Sequence, residues 1–225
     1  MPFSGRSYAW STSGGKDSLL ALWYAREQGY RVTTMVTMFD EAGARSRSHG
    51  IDKSLMQAQA HALGMTLITP HASWQSYETE FVATLQTLKA AGHVGVLFGD
   101  IDLLPHREWE EKVCSQANLS AVLPLWQRDR KQLAHQVLQL GFKAIVVCID
   151  HRFLTADFCG REYNNEFVES LPDGVDACGE NGEFHTFVYA GPLLSAPLNV
   201  AVAKIESVDA PTEFGGGRYS FARLA

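Results

Sequence analysis

Long apolar runs are missing from this chain. No segment approaches the roughly 18 to 20 uninterrupted apolar residues that a bilayer crossing needs, which excludes a helical membrane span. The opening Met-Pro-Phe-Ser-Gly-Arg-Ser lacks the basic-then-apolar order of a secretory signal. Cysteine is scarce: Cys114, Cys148, Cys159 and Cys178 are scattered with no CxxC pair. That spacing disfavours a zinc site or a disulfide framework and points to reduced thiols in the cytoplasm. His61, His71, His93, His135 and His151 likewise show no metal-ligand spacing. A surplus of positive charge is also absent, with 19 Lys and Arg against 25 Asp and Glu and a net charge of -6. Non-specific nucleic-acid binding, which needs clustered cations, is therefore disfavoured.

What is present is an ordinary, well-packed composition, 46% hydrophobic and 20% charged, over 225 residues. That length suits one large domain or a domain and a half. Residues 7–11 are short, apolar and β-prone, and run into a glycine turn. Residues 17–28 place Leu19, Leu20, Leu22, Trp23 and Ala25 at helical spacing, stopped by Gly29. Strands are expected over 31–39, 65–69 and 94–98, with helices over 51–63 and 75–91 and a polar loop over 40–50. Strands alternating with helices of this length imply βαβ crossovers and a parallel sheet covered on both faces. After Pro105 the reading continues with a helix over 106–117, a strand over 121–125, a helix over 130–140 and a strand over 143–149. A β-prone stretch spans 198–207, and Gly215-Gly216-Gly217 reads as a local turn. A soft domain boundary is placed near Trp126, giving 1–125 and 126–225.

The chemistry starts at Ser13-Gly14-Gly15-Lys16-Asp17-Ser18, between the first strand and first helix. Gly14 and Gly15 carry no side chains, so their N–H groups can approach an anion closely. The helix N-terminus adds unpaired N–H groups and partial positive charge. Ser13 and Ser18 supply hydroxyls, Lys16 a mobile cation, and Asp17 a carboxylate for Mg²⁺. The spacing is neither a Walker A loop nor GxGxxG. A glycine turn with a helix cap would explain a bare Ser-Gly-Gly, but not the whole hexapeptide.

This hexapeptide resembles the pyrophosphate-binding motif of the adenine nucleotide α-hydrolase superfamily, the PP-loop enzymes. The resemblance implies an α/β fold: a Rossmann-like parallel sheet with a smaller α+β C-terminal domain. It also implies ATP held by its β,γ-pyrophosphate, adenylation of a substrate oxygen, and displacement of AMP by a nucleophile. Two further strings narrow the family: Gly99-Asp100-Ile101 with His106-Arg107-Glu108-Trp109 and Pro124-Leu125-Trp126, and Cys178-Gly179-Glu180-Asn181-Gly182-Glu183-Phe184-His185-Thr186-Phe187-Val188. Together they resemble the diphthine–ammonia ligases, ATP-dependent amidases that complete diphthamide on elongation factor 2. The resemblance runs from Tyr8 to about Pro192. It implies ATP, Mg²⁺ and ammonia as partners of an AMP-forming carboxylate–ammonia ligase. The acceptor would be diphthine in a eukaryote or archaeon and another small carboxylate in a bacterium.

Read as residues, Asp100 lies at the carboxyl end of a parallel strand, where open α/β sheets bind ligands. It is a candidate magnesium ligand beside Asp17, or a turn aspartate. His106, Arg107 and Asn181 are candidates for substrate binding; Arg107 reads equally well as an ion pair with Glu111. Glu180, Glu183 and His185 lie in a glycine-punctuated loop and join Lys16 and Asp17 as the catalytic candidates. The expected nucleotide set is Ser11, Ser13, Gly14, Gly15, Lys16, Asp17, Ser18, Gly99 and Asp100. Arg45, Arg47 and His49 belong to a loop that could fold over ATP. The competing readings are a tRNA-modifying PP-loop ATPase and a nucleotide-binding protein without catalysis. A monomer or homodimer is expected.

Overall fold

A computed structural model describes residues 5–210 and 216–225. Five parallel strands form the first sheet: β1 (Ser7–Ser11), β2 (Arg31–Val36), β3 (Thr66–Ile68), β4 (His93–Leu97) and β5 (Ser120–Val122), in the order β3-β2-β1-β4-β5. Helices α1 (Lys16–Glu27), α2 (Lys53–Ala62), α3 (Tyr77–Ala90) and α4 (Leu104–Gln116) provide the crossovers. Side chains alternate across the strands and so feed two cores. Tyr8, Trp10, Met35 and Leu97 face one cluster with α1 and α2; Ala9, Val36 and Val96 face the other with α3 and α4. The α/β Rossmann-like sheet expected from sequence is therefore present. Strand order reverses between β1 and β4, which opens a crevice at their carboxyl ends.

The second half supplies α5 (Arg130–Gln139), β6 (Lys143–Asp150), a 3-10 turn (Ala156–Phe158), α6 (Asn165–Glu169), β7 (Phe184–Ala190), β8 (Val202–Asp209) and β9 (Arg218–Leu224). Four of these form an antiparallel sheet in the order β7-β6-β9-β8. The first apolar cluster does not stop at the parallel sheet. It runs from Leu19, Leu20 and Leu22 of α1 into Leu133 and Val137 of α5, Val146 and Val147 of β6, and Phe184 and Phe187 of β7.

Some elements differ from expectation. The helix expected over 106–117 starts two residues earlier, at Leu104, with Pro105 in its first turn where a missing N–H costs nothing. The strand expected over 121–125 is only Ser120–Val122, because the chain turns at Leu123 to Trp126. The polar loop over 40–50 is a folded-back segment, closed by Arg47 N–H to Met38 O and Ser46 N–H to Ile51 O. Of the expected triple-glycine turn, Gly215 lies outside the described residues; Gly216 and Gly217 have φ of 62° and 99°.

Candidate active site

The crevice at the carboxyl ends of β1 and β4 widens into a cavity of about 520 Å³. One wall is the hexapeptide loop. Gly14 has φ 83°, and a Cβ there would stand 2.8 Å from Gln59 Oε1 and 3.0 Å from the Phe187 ring. Its N–H is spent on Thr12 Oγ1 at 2.9 Å, and its carbonyl accepts from Val188 N–H of β7 at 2.9 Å. Gly14 is thus a packing glycine and does not line the cavity, unlike Gly15. The N–H of Lys16, first residue of α1, donates to Thr186 Oγ1 at 3.1 Å. Strand β7 therefore docks on the loop and shapes it. On the other side, a Cβ on Gly99 would lie 2.8 Å from Ser18 Cα, so only glycine lets β4 approach α1 this closely.

Lys16 is not the mobile cation expected from sequence. It is 1% exposed, and its Nζ pairs with Asp17 Oδ2 at 2.8 Å and donates to Cys178 O. The ammonium lies 4.9 Å from the Phe184 ring centroid and 5.1 Å from that of Tyr163. Burial works against its charge, but Asp17 and the neighbouring acidic groups outweigh it and raise its pKa. Burial raises the Asp17 carboxyl, with Lys16 opposing. Asp17 Oδ1 and Ser18 Oγ are buried without partners, as is Arg47 Nε; all three residues line this cavity. Buried polar atoms are ordinarily satisfied, so this concentration of unpaired donors and acceptors fits a polar ligand.

The opposite wall is acidic. Asp100 Oδ1 meets His106 Nδ1 at 2.7 Å. Burial opposes ionisation of Asp100, yet hydrogen bonds from His106 and Glu110 hold its pKa low. Glu110, 4% exposed, is pushed up to about 11, first by burial and then by Asp100. At neutral pH it is a protonated acid bonded to Asp100. Glu180 comes from the second half, accepts Ile101 N–H at 2.7 Å, and is raised to about 7 by burial, with Asp17 and Asp100 adding to the effect.

His49 and His185 stand beside the loop with ring centroids 4.5 Å apart and planes at 24°. His49 Nδ1 faces Thr186 O at 3.0 Å and Nε2 faces Ser13 Oγ at 2.8 Å. A carbonyl only accepts, so Nδ1 carries the proton and Ser13 donates its hydroxyl to Nε2.

Ser11, Ser13, Gly15, Lys16, Asp17, Ser18, Gly99, Asp100, His106, Glu180 and His185 all line the cavity. Glu183, Asn181 and Arg107 do not. Glu183 is 1% exposed and accepts from Asp176 N–H, Asn181 N–H and Asn181 Nδ2, which ties its own loop together. Asn181 Oδ1 accepts from Arg130. Arg107 pairs with Glu111 at 2.7 Å and covers the Trp126 ring, the alternative that its helix position offered. Sequence reading overlooked Glu110, although it follows His106 by one helical turn on the same face. It also passed over Thr186, Thr12 and Gln59, whose roles come from contacts distant in sequence.

Among the described residues no group of three or more His, Cys, Asp or Glu is placed to hold a metal ion. Magnesium commonly takes one or two carboxylates and completes its shell with phosphates and water, and the unpartnered Asp17 oxygen fits such a site. No helix among the described residues is long and apolar enough to cross a membrane.

Comparison with known proteins follows the same lines. A mouse protein called diphthine–ammonia ligase is 26% identical over 88% of this chain and 85% of its own length. A fission-yeast protein of that name is 25% identical over 80% of this chain, but only 34% of its own length. A Methanocaldococcus jannaschii crystal structure, described as a "predicted subunit of tRNA methyltransferase", has 19% identity and a TM-score of 0.44, covering 62% of this chain and 80% of its own. The diphthamide synthase N-terminal domain matches residues 7–121 and the diphthamide synthase C-terminal domain residues 129–211. With both halves matched, this chain belongs to the diphthamide synthase family.

Proposed function

We propose that this chain is a cytoplasmic ATP-dependent carboxylate–ammonia ligase that releases AMP and pyrophosphate, and that its acceptor is diphthine on elongation factor 2. Family membership and the ligase names of its relatives support ATP-dependent amidation. The observation that carries the finer reading is the facing of two half-sites: the loop's unpartnered Asp17 Oδ1 and Ser18 Oγ, and the acid wall of Asp100, Glu110 and Glu180.

In this reading the loop holds the β,γ-phosphates, with Lys16 and the start of α1 favouring the anion. Asp17 and Asp100 would hold magnesium, which would neutralise charge on the phosphates. The acceptor carboxylate attacks the α-phosphorus, the bond to the bridging oxygen breaks, and pyrophosphate leaves. Ammonia then attacks the acyl carbon, and AMP departs with its oxygen. Glu180, raised to about 7, takes the proton that the attacking nitrogen sheds. His106 keeps Asp100 ionised and Glu110 adds a hydrogen bond to it. The test supplies ATP, ammonium and diphthine-bearing elongation factor 2. AMP and pyrophosphate formed with the amide support the proposal; strict formation of ADP and phosphate sinks it.

A further inference from the structure

The two imidazoles beside the loop take no part in the steps just described. His49 bridges two segments, with Nδ1 on the β7 carbonyl of Thr186 and Nε2 on Ser13 of the loop. In that state the Ser13 hydroxyl proton is committed to His49. Ser13 therefore faces the cavity with lone pairs only, the wrong polarity for a phosphate oxygen.

The charge balance is also wrong for a polyanion. Lys16 is neutralised by Asp17 at 2.8 Å, and the one charge of Arg47, which also donates to Ala72 O, is set against Asp100 and Glu180 in the same cavity. Inorganic pyrophosphate bound without magnesium must draw positive charge from the site itself. The neutral groups nearest the loop that can gain it are His49 and His185. From α1 and its loop, Ser13 and Lys16 face the pair; from β7, Thr186 does. Stacked at 4.5 Å, the rings disfavour two charges and accommodate one.

We infer, resting on the pyrophosphate reading above, that His49 and His185 are the proton-accepting part of the pyrophosphate site. Binding of the anion puts about one proton on the pair. Once Nε2 of His49 carries a proton it donates to Ser13 Oγ, and the serine hydroxyl turns to donate to a phosphate oxygen. The proton comes from solvent and returns when pyrophosphate leaves. Without anion both rings stay neutral near pH 7. Burial pushes His185 down to about 4, with Lys16 adding to it, and burial with His185 holds His49 well below its ordinary value.

Calorimetric titration of inorganic pyrophosphate into the whole chain, in neutral buffers of differing ionisation enthalpy, counts the protons. The wild type is expected to take up about one proton more per pyrophosphate than a His49→Gln/His185→Gln variant. Equal proton numbers in the two proteins overturn the inference. Wild-type imidazole nitrogen resonances give a readout that does not depend on the variant folding. One ring moving to the cationic range at saturation supports the proposal, and both staying neutral overturns it. Failure of the wild type to bind pyrophosphate at all is a different result, which brings down the reading of the loop and this inference with it.

Discussion

Two ionisable pairs, each with one buried member, set the behaviour of single residues here. Lys16 and Asp17 neutralise each other in a site that aromatic rings close. Removing one partner strands the other charge. Lys16→Met is expected to cost about 3–5 kcal/mol in denaturant unfolding, while Lys16→Met/Asp17→Asn recovers much of it; a double loss equal to the sum of the two single losses would mean the pair is not coupled. The second pair is Asp100 with protonated Glu110. A carboxyl whose folded pKa is raised stabilises fully below its unfolded value and loses that contribution as pH rises towards the folded one. For Glu110 that window runs from about 4.5 to about 11. Glu110→Gln keeps a donor to Asp100 and cannot ionise. It is expected to gain stability relative to wild type between pH 5 and pH 9, by at most about 1.4 kcal/mol per pH unit. Urea midpoints at the two pH values decide it, and a constant difference contradicts the protonated assignment. Glu180, raised to about 7, belongs to function. Amide formation should rise with pH to a plateau just above neutral, and Glu180→Gln should lower kcat by about 10²–10⁴ without abolishing ATP–pyrophosphate exchange.

At the level of elements, the site exists because β4, α1 and β7 approach one another more closely than ordinary side chains permit. Gly99→Ala would put a methyl 2.8 Å from the Ser18 backbone. Backbone cannot yield as a flexible side chain can, so overpacking of about 1–3 kcal/mol is expected, along with weaker ATP binding. Gly64→Ala is a useful comparison. It has φ 68° but no atom within 4 Å of the new methyl, so its cost of about 1–2 kcal/mol is purely that of left-handed backbone and nucleotide affinity is unchanged. If the two variants bind ATP equally well, close packing at Gly99 is not what forms the site. Elements of the parallel sheet were legible because period-two strands and period-3.6 helices each carry their signal locally. The signal at Phe184–Ala190 was weaker, since the glycine-dense run before it reads as loop and its antiparallel partner, β6, lies far back in the chain. The site split in the same way. Loop residues and Asp100 announce themselves by position after a strand, whereas the structural duties of Glu183, Asn181 and Arg107 depend on neighbours that no local pattern names.

At the scale of the whole molecule, the two sequence halves share one core. Cluster residues of α1 pack with α5, β6 and β7, and the buried end of Lys16 is enclosed by Tyr163, Cys178 and Phe184 of the second half. Cutting the chain near Trp126 would expose that apolar face and leave the Lys16–Asp17 pair open to water. The parallel sheet would keep its own hydrogen bonds and its α3–α4 core, so secondary structure should survive better than packing. A fragment of residues 1–125 is therefore expected to show helical circular dichroism, broad non-cooperative melting and binding of a hydrophobic dye. The intact chain should melt in one transition. Adding residues 126–225 in trans should sharpen the melt, because the missing partners of α1 return. A fragment that melts cooperatively at the intact chain's Tm would show instead that the first half is an independent domain. The second half would then serve the site without serving the fold.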